Sequence, residues 1–217
     1  MFPFDVILFD VGGVLLTNGW DTGERALAAE HFNLDLAGFE QRHHAVFAAW
    51  ERGAISVKAY LDATVFNEPR SFTHYEFFGF MLEQSKPLAD GALGTLEELS
   101  ASNKCLLGAL NNEARETNEY RFKTFGLRNY FNVALSSCYL GLRKPDRKIF
   151  QVTLDVLQRD PEEVVFIDDR AENVAAAASL GIHSIRYEGS DKLADELARL
   201  GVSFTQDRFH GLSVREA

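Results

Sequence analysis

Three carboxylates follow two short apolar runs of this sequence. Asp10 comes directly after residues 6–9, and Asp168 and Asp169 come directly after residues 164–167. At the ends of neighbouring buried strands, these side chains would repel one another unless a cation lay between them. Mg²⁺ prefers oxygen ligands, usually one or two carboxylates completed by water and substrate phosphate. The carboxylates therefore predict a magnesium site.

Helix capping is the simpler explanation for Asp168 and Asp169, because aspartate is favoured at helix N-termini. A cap needs only one of the two, so the pair favours the metal. Lys144 precedes Pro145 in a loop beyond a third apolar run. A lysine in such a place is usually solvated, but a fixed ammonium could neutralise Asp10 and a transferring group.

The elements that must position these groups alternate between strand and helix. Apolar runs followed by polar residues predict buried strands at 6–9, 105–110, 131–135 and 164–167. Helices are expected at 90–100, 113–125, 148–158 and 171–180, the last ended by Gly181. Such alternation predicts an α/β fold with a parallel sheet. Ligands bind at the carboxyl ends of such strands, where the polar residues lie.

Residues 20–84 break this alternation, because they contain no convincing buried strand. Apolar side chains and one histidine recur there at helical spacing, at Leu36, Phe39, His43, Val46 or Phe47, and Trp50. Ser56 is expected to cap a helix reaching about Phe66, and Thr73 to cap another. We predict a helical cap at 17–85, inserted into a catalytic core of 1–16 and 86–217. The segment after Phe204 is too irregular to assign.

Composition narrows the possible partners. The 217 residues carry a formal net charge of -10, which repels nucleic acid. No segment is long and apolar enough to span a bilayer, and the opening residues lack the basic leader of a signal peptide. The two cysteines cannot form a disulfide framework, so we expect a reducing cytoplasm. The 18 phenylalanines favour an aromatic core over an apolar pocket.

The motifs, taken in order, resemble those of the haloacid dehalogenase superfamily over essentially the whole chain. The resemblance is carried by residues 9–15 (FDVGGVL), Leu110 with Asn111 and Asn112, Arg143 to Pro145, and Ile167 to Asp169 with Asn173. Each motif is weak alone, but together they are specific. Within the superfamily the chain is similar to the branch containing alpha-glucose-1-phosphate phosphatase, through Glu51 to Gly53 and residues 140–145.

This resemblance implies a Rossmann-like three-layer core with an inserted helical cap. In such enzymes the residue matching Asp10 attacks phosphorus, and water hydrolyses the resulting aspartyl-phosphate. The Asn111 side chain, nearby groups around Asn112, and Lys144 would hold the phosphoryl oxygens. Asn111 stands where the superfamily usually has Ser or Thr; its longer amide can still donate, so we expect altered geometry rather than lost binding.

The resemblance also implies which groups hold Mg²⁺. The Asp10 carboxylate, the Gly12 carbonyl and Asp169 would bind it, while Asp168 is either a ligand or one step removed through water. Asn173 would orient the loop.

Gly12 departs from the family pattern, because most phosphatases of this superfamily have an aspartate there that protonates the leaving group. General acid-base catalysis contributes about 10²–10⁴-fold, so poor leaving groups should suffer most. Three explanations stay open. The substrate has an acidic leaving group, such as an anomeric sugar phosphate or an acyl phosphate; His43, His44, His31 or Glu113 substitutes; or activity has been lost.

The function predicted is a magnesium-dependent phosphatase of small phosphorylated metabolites, with sugar 1-phosphates as one favoured class. The alternatives are a metal-independent 2-haloacid dehalogenase, which the paired aspartates oppose, and a non-catalytic phosphate-binding protein. Aromatic residues of the cap either line a substrate pocket or pack against the core: Trp20, Trp50, Phe77, Phe78 and Phe80. A monomer and a homodimer are both compatible with the sequence.

Overall fold

Parallel strands form the centre of the molecule. The computed structural model describes residues 3–202, and within this range five strands have the order β3-β2-β1-β4-β5. They are β1 (Val6–Phe9), β2 (Leu106–Ala109), β3 (Val133–Ala134), β4 (Val164–Asp168) and β5 (His183–Arg186). Phe9 at the end of β1 pairs with Ala109 on one side and Ile167 on the other. The order and direction are those of a Rossmann-like sheet.

The described residues form ten α-helices. They are α1 (Thr22–His31), α2 (Leu36–Glu51), α3 (Val57–Thr64), α4 (His74–Glu83), α5 (Leu93–Ser102), α6 (Arg115–Thr124), α7 (Ser137–Leu140), α8 (Arg147–Leu157), α9 (Ala171–Ala178) and α10 (Ser190–Arg199). Ile7 of β1 belongs to a cluster with α5, α6 and α10, and Leu8 to a cluster with α8 and α9. Alternate residues of a strand point to opposite faces, so β1 anchors both layers of a three-layer core.

The first four helices form a cap inserted between β1 and α5. They share an apolar cluster whose buried members include Phe39, Tyr60 and Phe77. The predicted N-caps are confirmed, because the Ser56 side chain caps α3 and the Thr73 side chain caps α4. The many phenylalanines therefore serve packing in the cap as well as in the core.

The two segments that connect the cap to the core run side by side. Leu16 forms an antiparallel bridge with Pro87. The Thr17 amide donates to the Lys86 carbonyl at 2.8 Å, and the Thr17 hydroxyl donates to the Gln84 carbonyl at 2.9 Å. These contacts lie where the sequence predicts the domain boundaries, which themselves stay a prediction.

Several predicted elements differ in length from those observed. The strand expected at 131–135 is only Val133–Ala134, and the strand expected at 105–110 is Leu106–Ala109. Residues 90–92, 113 and 114 precede their helices, and α9 ends at Ala178. Gly181 has a φ of 95° in the turn that follows α9. An apolar residue near the end of a strand or helix has the same residue type whether or not its backbone takes part in the hydrogen bonding of that element, so the sequence does not determine the exact ends.

The sequence did not reveal β5 or α10, and the segment after Phe204 lies outside the described residues. The strand β5 is at the edge of the sheet, with His183 and Arg186 exposed, so it lacks the apolar run of a central strand. Within residues 3–202, no helix is both long and apolar enough to cross a membrane. Cys105 and Cys138 are not bonded to each other.

Candidate active site

The three predicted carboxylates meet at the carboxyl edge of the sheet. Asp10 follows β1, and Asp168 ends the neighbouring strand β4. One oxygen of each of Asp10, Asp168 and Asp169 lies within 4.8 Å of the others. Neither Asp168 nor Asp169 is the N-cap residue of α9, which is Arg170. Capping therefore does not explain the pair.

Lys144 is buried among these carboxylates, not solvated. Its Nζ lies 3.1 Å from Asp10 Oδ2 and 2.6 Å from Asp168 Oδ2, and it donates to the Leu110 carbonyl at 2.7 Å. The Asn112 side chain fixes the lysine backbone, accepting from its N–H at 2.9 Å and donating to its carbonyl at 2.8 Å. The ammonium is thus held in place against two carboxylates.

Asp168 is saturated by protein donors. Besides Lys144, the Asn173 Nδ2 lies 3.0 Å from both of its oxygens, and the Arg170 backbone N–H donates to Oδ1 at 2.8 Å. Asn173 therefore orients the Asp168 side chain, while its predicted role in orienting the loop stays a prediction. In this arrangement Asp168 positions Lys144, which leaves Asp10 and Asp169 as the freer carboxylates.

Asp169 has a buried oxygen, Oδ1, without a hydrogen-bond partner in the described structure. Burial raises the pKa of Asp169, and the charge of Asp168 adds to this. Burial also raises the pKa of Asp10 to about 7, although Lys144 opposes the change. A bound cation would offset the negative charge of both carboxylates, so the residues present fit Mg²⁺. Gly13, with a φ of 73°, packs against Asp169 so closely that any side chain would collide with the carboxylate.

The two asparagines after β2 are engaged with protein groups. The Asn111 amide donates to Asn118 Oδ1 at 3.0 Å, and Asn111 Oδ1 accepts from the Ser136 hydroxyl at 2.7 Å. Asn111 is buried and does not line the cavity beside Asp10, whereas Asn112 does. Their binding of phosphoryl oxygens stays a prediction.

A cavity of about 230 Å³ opens beside Asp10, between the core and the cap. Its walls include Trp20, His43, Phe47, Trp50 and Glu51 from the cap, and Asp10, Gly12, Asn112, Lys144 and Asn173 from the core. Of the aromatic residues expected to line a pocket, Trp20 and Trp50 do so. Phe77, Phe78 and Phe80 pack within the cap cluster instead.

An ion pair that sequence reasoning missed joins the cap to the core. Glu51 at the end of α2 lies 2.5 Å from Arg143, which stacks 4.7 Å from the centre of the Phe47 ring. The Ser137 hydroxyl donates to the Glu51 carbonyl at 2.7 Å. Burial raises the pKa of Glu51 to about 7, although Arg143 opposes this. Both residues stand in family motifs, but nothing in the sequence shows that they pair.

A second missed pair lies beside Gly12. Arg121 Nη1 is 2.6 Å from Glu113 Oε2, and Nη2 donates to the Thr17 carbonyl. Glu113 Oε1 accepts from the Thr117 hydroxyl at 2.7 Å. Glu113 was one candidate for the missing general acid. Both of its carboxylate oxygens have hydrogen-bond partners within the protein.

His43 lines the cavity but does not suit proton donation. Its Nδ1 lies 2.8 Å from the Tyr60 hydroxyl, and the oxygen of that hydroxyl accepts a hydrogen bond from Trp20 Nε1 at 2.9 Å. Burial lowers the pKa of His43 to about 3, with the Arg25 charge adding to the effect, so the ring is neutral near pH 7. His31 stacks on Phe80 away from the cavity.

Changing His43 to glutamine should reduce the loss of stability that acid causes. The unfolded chain takes up a proton near the ordinary histidine pKa of 6.5, whereas the folded state resists it until about pH 3. Stability is therefore lost as the pH falls below about 6.5, by on the order of 2 kcal/mol at pH 5. Urea unfolding of wild type and His43→Gln at pH 7 and 5 measures the difference.

His44→Gln is the matched control for that experiment, because it removes an imidazole from the same helix at a side chain that is 70% exposed. If wild type and His43→Gln lost the same free energy between the two pH values, His43 would not be the group responsible.

Residues 4–181 match the model of the haloacid dehalogenase-like hydrolase family, and the chain belongs to this family. It is 26% identical to pig bifunctional epoxide hydrolase 2, over 92% of this chain and 39% of that protein. It is 35% identical to flavin mononucleotide hydrolase 1 of Arabidopsis thaliana over 74 residues, 34% of this chain and 30% of the relative. The chain thus spans well under half of either relative.

A solved structure shares the fold. It is a HAD family enzyme from Bacteroides thetaiotaomicron in complex with magnesium and inorganic phosphate. The TM-score is 0.71 at 21% identity, over 86% of this chain and 95% of that one.

Proposed function

We propose that this hydrolase is a magnesium-dependent phosphatase of small phosphorylated metabolites, with Asp10 as the nucleophile. The observation that carries the proposal is the pairing of buried Asp10 with half-buried Asp169, which has an unpartnered buried oxygen in the described structure, beside the fixed ammonium of Lys144. Asp10, Asp169 and the Gly12 carbonyl would hold Mg²⁺. Bound there, the metal would offset negative charge on the phosphoryl group.

The proposed reaction consists of two displacements, the attack of Asp10 on phosphorus and the hydrolysis of the acyl phosphate that it forms. An Asp10 oxygen forms a bond to phosphorus while the bond to the leaving oxygen breaks, and water later cleaves the acyl phosphate and releases inorganic phosphate. Lys144 lies 3.1 Å from Asp10, so it orients the attacking carboxylate and offsets the charge that it brings toward phosphate. Asp168 and Asn173 keep the ammonium in position.

The size of the cavity and the residue at position 12 support the substrate class. About 230 Å³ beneath a helical cap accommodates a small metabolite rather than a folded protein. Gly12 supplies no proton, which favours substrates whose leaving group is acidic. Sugar 1-phosphates belong to that class.

Phosphate release from a panel of sugar 1-phosphates, other phosphomonoesters and flavin mononucleotide tests the proposal. We expect turnover with Mg²⁺, at least about a tenfold loss after EDTA, and recovery when Mg²⁺ is returned. Phosphate release that EDTA leaves unchanged would overturn the magnesium assignment. Halide release from a 2-haloacid without metal would favour the dehalogenase, and phosphate binding without turnover would favour the non-catalytic alternative.

A further inference from the structure

We propose that Arg121 is a catalytic residue that stabilises the departing oxygen of the substrate, in the place where related phosphatases have a general acid. The inference rests on the proposed phosphatase function. Arg121 lies outside the family motifs, on helix α6, which follows the motif at Asn111 and Asn112, and its side chain lines the cavity.

Gly12 lies close to Arg121. A Cβ built on Gly12 would lie 3.8 Å from Arg121 Nη1 and 2.9 Å from Asn18 Oδ1. A side chain at position 12 would therefore begin against Asn18 and within van der Waals distance of the guanidinium. Related phosphatases have an aspartate at position 12 as the proton donor. Because this chain has glycine there, Arg121 lies next to the space that the aspartate side chain would occupy.

The guanidinium of Arg121 is fixed in position. The Arg121 side chain is 3% exposed, held by Glu113 at 2.6 Å and by the Thr17 carbonyl, and its Nε is buried without a hydrogen-bond partner in the described structure. A donor held in this way needs little reorganisation when charge develops next to it, which is the condition for strong electrostatic stabilisation. Each terminal nitrogen of arginine carries two protons, so Nη1 keeps one beyond its bond to Glu113.

Arg121 acts through its charge and its hydrogen bonds. Arginine keeps its protons in proteins, so Arg121 stabilises an oxyanion without protonating it. When Asp10 bonds to phosphorus, the leaving oxygen takes the electron pair of the broken bond and departs as an anion hydrogen-bonded to Arg121. It takes its proton from water afterwards. This mechanism is most effective for acidic leaving groups. For these substrates the absence of a general acid at position 12 lowers the rate least.

The test compares wild type and Arg121→Gln on aryl phosphates of graded leaving-group acidity, with kcat/KM measured at saturating Mg²⁺. We expect a loss of about 10–10²-fold on phenyl phosphate and of less than about threefold on 2,4-dinitrophenyl phosphate. The dependence of rate on leaving-group pKa becomes steeper as a result. Arg121→Lys, which keeps a charge, should give an intermediate slope.

Arg115→Gln is the matched control, because Arg115 lies on the same helix, is exposed and does not line the cavity. Equal losses on all the aryl phosphates in Arg121→Gln would show a merely structural role and overturn the inference. If Arg121→Gln fails to fold, the Glu113→Gln/Arg121→Gln double variant carries the same comparison without an unpaired buried charge.

Failure of the proposed function gives a different result. Wild-type protein would then release no phosphate from any aryl phosphate, or would release it equally well after Asp10→Asn. An Asp10-dependent activity whose slope is the same in wild type and Arg121→Gln rejects the role of Arg121 alone.

Discussion

Replacing Asp10 with asparagine is expected to lower magnesium-dependent phosphate release by roughly 10³-fold or more. An amide carries no charge and is a far weaker nucleophile toward phosphorus than a carboxylate. The side chain keeps its size, so the substrate cavity beside β1 keeps its shape. The measurement is kcat for the best substrate at several Mg²⁺ concentrations, because Asp10 is also an expected ligand of the metal.

Stability separates this loss from misfolding. Asp10 is buried and lies near the charge of Asp168, and both conditions disfavour its ionised form. Without Mg²⁺, Asp10→Asn should therefore unfold at the same temperature as wild type or a higher one. Asp155→Asn, at an exposed position on α8, is the matched control. Near-wild-type activity in purified Asp10→Asn would exclude Asp10 as the nucleophile.

Lys144→Met is expected to have the second largest effect, lowering activity by about 10²–10³-fold. It should also lower the free energy of unfolding by about 3–5 kcal/mol, because breaking a buried pair leaves an uncompensated charge. That charge belongs to Asp168, which is fully buried and 2.6 Å from the ammonium. Urea unfolding without Mg²⁺ and the phosphate-release assay measure the two effects separately.

A double variant distinguishes the two roles of Lys144. Lys144→Met/Asp168→Asn removes both charges, so it should recover much of the lost stability while activity stays low. Lys148→Met, at an exposed position on α8, is the matched control. If Lys144→Met were as stable as wild type, Asp168 would not depend on the ammonium and would not hold it in position.

The central strands of the fold are the part that the sequence predicts best. Strand β1 is observed at the predicted residues, and β4 extends the predicted strand only by Asp168. Both strands are buried on two faces, so they must be apolar throughout and are easy to recognise. The edge strand β5 has only Ile185 buried, and its polar neighbours hide it.

The sequence predicts those site residues that lie at the carboxyl ends of the strands. Because parallel strands end at one edge, the sequence places Asp10 with Asp168 and Asp169, and the structure brings their oxygens within 4.8 Å. The partners of Arg121 and Arg143 could not be predicted in this way. They depend on how α6 and the cap pack against the core, and an arginine that will be buried looks like a surface arginine in sequence.

The paired connecting segments at Leu16 and Pro87 have a consequence for how such proteins diversify. Entry to and exit from the helical insertion lie side by side, so the chain leaves the sheet and returns to it at one point. An insertion attached in this way can be lengthened, shortened or exchanged without changing the register of β1 against β2 and β4. The cavity walls can therefore vary between relatives while the carboxylate at the end of β1 stays where the sheet holds it.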